Sequence, residues 1–350
     1  MTQGTTLHTI GLDLGKRFIQ VHGADAKGAK LLNRRLRRDQ VAPFFGALPS
    51  CCVAIETCGG GHHWGRVLGA MGHTVKLIPA QFVKPYLKSN KNDAADAAAI
   101  CEAAQRPAMR FSKVKTAEDQ AVLTLHRTRR LLIKQRTQLG NSLRGQCTEF
   151  GLVAPQNRAG VAMLLAIIAD PEDDRLPALA RSALGVYATQ LEQIGHRIAE
   201  LETELTAWHR QHPVSQRLAA IPGVGVLTAT ALTVALGDGT QFRSGRQFAA
   251  TPGLVPRQES TGGKTRLKGI SKRGDTYLRS NLVHGARSSI FWRRRRDGPG
   301  APRLQALLAE KPINVVAVAV ANRNARTAWA LVRRNQAYTP GHVSVPLAAA

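Results

Sequence analysis

The sequence predicts an α/β layer with a mixed sheet at the N-terminus, a helical, coiled-coil-like middle and a mainly α-helical C-terminal region. Three observations carry this reading. Strand-length apolar runs, first consecutive and then alternating with helical patterns, fill the chain up to an alanine-rich run that begins near Asn92. Strand signals then vanish between about residues 117 and 212, where long stretches keep a helical apolar period. Pro213 interrupts that period, and apolar helical segments separated by glycine-rich turns follow.

Taken in order, HTIGLDLG (8–15) and FIQVHGAD (18–25) read as strands joined by a tight turn, and KLLNRRLRR (30–38) as a third strand or edge segment. VAPFFGAL (41–48) reads as a short helix, CCVAIET (51–57) as a strand, HHWGRVLGAMGH as a helix and TVKLIPA (74–80) as another strand. In the middle region Leu191, Ile194, Ile198, Leu201 and Leu205 advance by three or four, a seam suited to packing within the chain or against a second protomer. Beyond Pro213, LAAIPGVGVLTATALTVALGD (218–238) sets a Pro-Gly-x-Gly turn between apolar helices, a polar, basic, glycine-rich loop occupies 251–280, and INVVAVAVANRNARTAWALVRR (313–334) is the closing helix. The expected divisions are 1–116, 117–212, 213–337 and a tail at 338–350.

Among 350 residues, 49 Lys and Arg face 23 Asp and Glu, a formal net charge of +26. So large an excess calls for a polyanionic partner, and nucleic acid fits better than an acidic membrane because the cations recur along the whole length. No apolar run is long enough to span a bilayer, and the N-terminus lacks a signal-peptide pattern, so a cytoplasmic protein is expected. The five cysteines have no paired metal-finger spacing and read as small apolar residues of a reducing compartment. His62 and His63 read as helix-start residues sooner than as metal ligands.

Against this basic background four acids stand out. Asp13 lies inside an apolar strand and Glu56 ends another; Asp93 and Asp96, in KNDAAD, follow Asn92 at the start of a helix. Singly, each has an ordinary explanation as an edge residue, a turn residue or a favourable charge at a helix N-terminus. Together they point elsewhere. Three-residue spacing puts Asp93 and Asp96 on one helical face, and loops beyond strand ends of an α/β sheet converge on one crevice, where Asp13 and Glu56 could join them. Four carboxylates in one place call for hard divalent cations, Mg²⁺ first; two ions about 4 Å apart would clamp a phosphodiester.

IGLDLGKR, AIETCGG and KNDAADA resemble the DEDD pattern of a RuvC-like, ribonuclease H-like domain, found in Holliday-junction resolvases and in one group of insertion-sequence transposases. PGVGVLTATALTVALGD, FAATPGLVPRQESTGGKTRLKGISKRGDTYLR and LVHGAR resemble the C-terminal domain of those DEDD transposases, the bridge-RNA-guided serine recombinases. The likeness runs from about residue 8 to about 335. It implies Asp13, Glu56, Asp93 and Asp96 as the metal-binding acids and a serine nucleophile that becomes covalently linked to DNA. By position in RQESTGG that role falls on Ser260, with Ser271 of GISKRG as the runner-up. It further implies donor and target DNA and a structured guide RNA as partners; recombination needs more than one active site and the helical middle offers an interface, so a dimer assembling to a tetramer is expected.

Around the serine stand Arg257, Lys264, Arg266, Lys268, Lys272, Arg273 and Arg279, read as phosphate contacts or, more plainly, as a solvated face. The PGVG turn (222–225) resembles a helix-hairpin-helix element and is equally an ordinary interhelical turn. RRLRR (34–38) and RRRR (293–296) could serve DNA or RNA. Two other readings stay open: a hydrolytic nuclease or junction resolvase in which water replaces the serine, and a non-catalytic nucleic-acid-binding protein whose acids only cap helices.

Overall fold

The computed structural model describes residues 6–87, 92–293 and 301–340. The chain divides into two compact units, Met1–Gln120 and Ala121–Ala350.

The first unit contains β1 (Thr9–Leu14), β2 (Phe18–Ala24), β3 (Lys30–Arg37), α1 (Arg38–Gly46), β4 (Cys52–Glu56), α2 (Gly61–Ala70), β5 (Thr74–Ile78), α3 (Ala80–Val83) and α4 (Asp93–Ala104). Its five-stranded sheet has the order β3-β2-β1-β4-β5. The short connections between β1, β2 and β3 give antiparallel pairs, whereas β4 and β5, each reached through a helix, pair in parallel. Alternation sorts the side chains by face. Ile10, Leu12, Val53, Ile55 and Leu77 bury against Val41 and Phe45 of α1 and Trp64 and Leu68 of α2. Ala54 and Ile78 point the other way, toward Ile100, Ala103 and Ala104 of α4. The mixed sheet is thus covered by helices on both sides.

In the second unit, α5 (Ala117–Thr148), which starts in the first, leads to α6 (Arg158–Ala169), α7 (Ala178–Gln211), α8 (Pro213–Ala219), α9 (Val226–Leu236) and α10 (Gly245–Ala250). After these come β6 (Pro256–Thr261), β7 (Lys264–Ile270), α11 (Thr276–Arg293), α12 (Ala301–Glu310) and α13 (Ile313–Arg334). Its main core gathers Leu218, Leu232, Phe248, Leu282, Ala321 and Ala325 from five of these helices. The apolar seam of α7 is used within the chain at both ends: Leu184 and Leu191 meet Leu143 and Leu164, and Leu205 meets Val122 and Val234. Arg129 of α5 and Glu202 of α7 add an ion pair at 2.6 Å.

The segment expected as a glycine-rich loop is instead a two-stranded antiparallel ribbon, β6 and β7. Gly262 and Gly263 have φ of 55° and 75°, the left-handed pair that turns a hairpin tightly and that glycine adopts without strain. Its strands carry polar residues on both faces, so no apolar alternation announced them. Helix α6 was also not anticipated. The arginine run at 294–296 and the tail beyond Pro340 lie outside the described residues.

Candidate active site

β1 and β4 run parallel with Leu12 opposite Ile55, so one further step along each strand brings Asp13 level with Glu56. Both alternate away from the buried face that holds Ile10, Leu12, Val53 and Ile55, and therefore project on the side covered by α4. There Gly11 is in backbone contact with the helix: a Cβ on it would stand 2.2 Å from the Ala97 carbonyl and 2.6 Å from the Cys101 nitrogen. The Cys101 thiol donates to the Thr9 carbonyl at 3.4 Å. Helix and strand thus run in opposite directions, Cys101 beside Thr9 and Ala97 beside Gly11. Four helical residues advance about 6 Å and two strand residues about 6.8 Å. The next step therefore carries the helix to Asp93 and the strand to Asp13, with Asp96 on the same helical stripe.

Asn92 fixes the start of α4 by accepting the Ala95 N–H at 2.8 Å, and the N-terminal end of the helix favours the two acids in its first turn. Asp13, Glu56 and Asp96 are half-buried and Asp93 is exposed. The thiol of Cys58 is pushed above its ordinary range, first by burial and then by the negative charges of Glu56 and Asp13, so both carboxylates act on one neighbourhood. Among the described residues, no three Asp, Glu, His or Cys side chains stand close enough together to hold a metal ion. Asp13 and Glu56 thus stand at the C-terminal ends of two interior strands, on the side where the first turn of α4 carries Asp93 and Asp96, without forming a finished ligand shell.

Two neighbours carried no sequence signal beyond their type. Gln20 pairs directly across from Asp13 and donates to Asn33 Oδ1 at 2.5 Å. Arg38, from the arginine run, donates to the Gly15 carbonyl at 3.0 Å and lies 5.8 Å from the centre of the Trp64 ring, which sets a cation at the end of the strand that bears Asp13. His62 and His63 begin α2, and His62 Nδ1 accepts the Lys115 N–H at 3.1 Å.

Ser260 lies on β6 opposite Thr265, where its hydroxyl accepts from the Gln258 amide at 2.9 Å. Every residue of β6 is exposed. Ser271 is half-buried at the foot of the ribbon, its N–H bonded to the Val255 carbonyl at 2.8 Å. Here the backbone crosses itself closely: a Cβ on Gly253 would meet the Arg273 carbonyl at 2.3 Å, and one on Gly274 the Thr251 carbonyl at 1.9 Å. Arg279 donates to the Pro252 carbonyl at 2.7 Å, the Arg273 carbonyl at 3.4 Å and the Thr276 hydroxyl at 3.2 Å. Its first effect is to hold this crossing together, while Arg257, Lys264, Arg266, Lys268, Lys272 and Arg273 are exposed.

Between α9 and α11, His126 of α5 is buried, with Nδ1 2.8 Å from the Tyr277 hydroxyl and Nε2 3.0 Å from the Thr230 hydroxyl. Burial, helped by Arg129, pushes its pKa down to about 4, so it is neutral at pH 7.

Residues 10–151 match a family described as Transposase, the DEDD transposases of the IS110 type, and residues 215–298 match the family described as Transposase IS116/IS110/IS902 family. A protein of Pseudomonas aeruginosa named "Probable family 20 transposase" is 50% identical over 336 residues, covering 96% of this chain and 99% of its own. The chain belongs to the IS110/IS116/IS902 transposases. It is a DNA-processing enzyme, as the motifs implied. Similar to this transposase are also the transposase for insertion sequence element IS1328 of Yersinia enterocolitica, 40% identical over 94% of this chain and 98% of its own, and that for IS1111A of Coxiella burnetii, 40% identical over 95% of this chain and 91% of its own. The first family match contains all four acids, and the second contains the ribbon and both candidate serines.

Proposed function

We propose that this transposase cuts and exchanges DNA strands through a covalent serine–DNA intermediate, with a ribonuclease H-like first unit supplying metal-binding acids and Ser260 supplying the nucleophile. The observation that supports the reading is the register that brings Asp13 level with Glu56 on the side of the sheet where α4, in backbone contact with Gly11, carries Asp93 and Asp96 in its first turn. The strand order β3-β2-β1-β4-β5 with β2 antiparallel supports the ribonuclease H-like assignment.

An all-carboxylate donor set fits a hard divalent cation such as Mg²⁺. Asp13, Glu56, Asp93 and Asp96 would hold it, as two ions. When bound it supplies polarisation of the phosphodiester and stabilisation of the leaving oxygen. The chain's own part is balanced: the Ser260 oxygen bonds to phosphorus, one backbone P–O bond breaks, and the departing sugar oxygen takes up a proton as the serine loses one. Attack by a sugar hydroxyl of another strand reverses the step and completes the exchange. Bond energy is conserved, so ATP is not required. A structured guide RNA, assembly from dimer to tetramer and action in the cytoplasm complete the proposal; the high positive charge supports the first of these. Among the described residues, no helix is long and apolar enough to cross a membrane.

The hydrolytic alternative draws on one observation: the neighbour bonded to Ser260 is an amide donor, Gln258, which cannot take its proton. Purified protein incubated with Mg²⁺, labelled donor and target DNA and RNA from the element's flanking region distinguishes the two on a denaturing gel. The proposal expects a protein-linked DNA band that disappears with Ser260→Ala and with Asp13→Ala. Cleavage without an adduct that survives Ser260→Ala would overturn it in favour of water.

A further inference from the structure

The ribbon of β6 and β7 sorts its residues by face. Side chains alternate along each strand, and partners directly opposite share a face. Ser260 faces with Thr265, and Gln258 with Leu267; the hydrogen bond from Gln258 to Ser260 unites these as one face. Glu259 pairs with Arg266 and Thr261 with Lys264, and the ion pair between Lys268 and Glu259 joins them on the other. Lys264, Arg266 and Lys268 therefore all project away from Ser260. One face is cationic, with three cations against one carboxylate. The other bears hydroxyls and Leu267, which is 67% exposed. β6 and β7 are exposed nearly throughout.

We propose that the two faces engage two different stretches of DNA: the serine face meets the phosphodiester to be cut, and Lys264, Arg266 and Lys268 hold the phosphate backbone of a second DNA duplex. This rests on Ser260 being the nucleophile. Layers packed on a sheet lie about 10 Å from it, so a phosphate held by the cationic face is beyond reach of the serine oxygen. Alternate strand residues stand about 6.8 Å apart, and the three cations span about four nucleotide steps of a duplex that rises about 3.4 Å per step. A two-stranded ribbon also matches the width of the B-DNA major groove, whereas the A-form major groove of RNA is too narrow for side chains to enter. Strand exchange requires two DNA segments to be held at once, and a ribbon with chemically distinct faces does so with one element.

The test immobilises one duplex, adds protein and measures capture of a second, fluorescent duplex, with the serine–DNA adduct measured in parallel. The combined change Lys264→Gln, Arg266→Gln and Lys268→Gln should lower capture at least fivefold further than it lowers adduct yield on a single saturating duplex. The single change Arg266→Gln should show the same inequality to a smaller degree. Ser260→Ala should abolish the adduct and retain capture. Equal losses of capture and adduct in the cationic-face variants would overturn the proposal, because cations and serine would then serve one phosphate. So would a loss confined to binding of added RNA. If the unaltered protein forms no adduct while capture still follows the cationic face, the serine reading fails and the duplex-holding face stands.

Discussion

At the acidic edge, Gly11 of β1 lies against the backbone of α4, whereas along the ribbon Gly262 and Gly263 have nothing within 4 Å of where a Cβ would stand. The acids sit on elements buried on at least one side and fixed by backbone contact, so their relative height is set by two regular repeats running in step. The serine sits on two strands exposed almost throughout, joined to the fold by the close backbone crossing at Gly253 and Gly274. An isolated two-stranded ribbon is marginally stable in water. The comparison separates two settings for the proposed reaction: the acids proposed to share a metal ion stand on strands and a helix in backbone contact, and the serine proposed to reach DNA is carried on an exposed ribbon.

The largest expected effect tests the first half of that contrast. Asp13→Asn keeps the shape of the side chain and removes its charge, and should lower strand cleavage by on the order of a thousandfold with little change in thermal stability. Adduct yield and melting temperature measured on the same preparation check both parts. A fall in stability equal to that of an unfolded variant would mean that Asp13 is a structural residue.

The buried histidine of the second unit is next. His126 is held neutral among Tyr277, Thr230, Arg129 and the acid Asp275. Its folded pKa is about 4 against an ordinary 6.5, so as pH falls the unfolded chain takes up the proton first. The stability it contributes is therefore full above pH 6.5 and is lost progressively toward pH 4, by about 3 kcal/mol in all. Denaturant melts at pH 7, 5.5 and 4.5 should show that decline for the second unit, and His126→Gln should flatten it. An unchanged slope in the variant would assign the decline to other groups.

Gly11→Ala and Gly262→Ala compare the two regions directly. The first would set a methyl group against the backbone of α4, forcing the helix and its acids outward, at a cost of about 2–3 kcal/mol. The second meets open space, and its only penalty is the positive φ of 55°, about 1 kcal/mol. Equal losses would show that the framing of the acidic edge is no tighter than that of the ribbon.

How far the sequence could be read follows the same division. Strands β1, β2, β4 and β5 and the start of α4 are legible because burial imposes a period and Asn92 caps the helix through its side chain, and the mostly exposed β3 reads as a third strand or edge segment. That Asp13 and Glu56 belong to one edge followed from strand ends, but their relation to Asp93 depended on the contact at Gly11, which no local pattern announces. The ribbon was read as a loop because exposed strands need no apolar alternation, and its cations were read as surrounding the serine. The strand register sorts three of them, Lys264, Arg266 and Lys268, onto the face away from Ser260. The seam of α7 could not be assigned to a partner from sequence, since Leu205 finds Val122 and Val234 only through the fold.

The smallest change in stability carries the sharpest information about the ribbon. Glu259 and Lys268 are 60% and 47% exposed and form an ion pair; such surface pairs contribute about 0–1 kcal/mol, so Glu259→Gln should leave the melting temperature nearly unchanged. Its effect on binding has a definite sign. Removing the carboxylate takes away the group that competes with phosphate for Lys268, so duplex affinity should rise and the slope of log affinity against log salt should steepen by at most about 0.9, the value of one full phosphate contact. Titrations at several salt concentrations measure that slope. A steeper slope in Glu259→Gln that returns to the original value when Lys268→Gln is added assigns the contact to Lys268. A slope that moves neither in Glu259→Gln nor in the combined Lys264→Gln, Arg266→Gln and Lys268→Gln change would mean that this face meets no backbone, and the ribbon would then have to be read as open on the serine side alone.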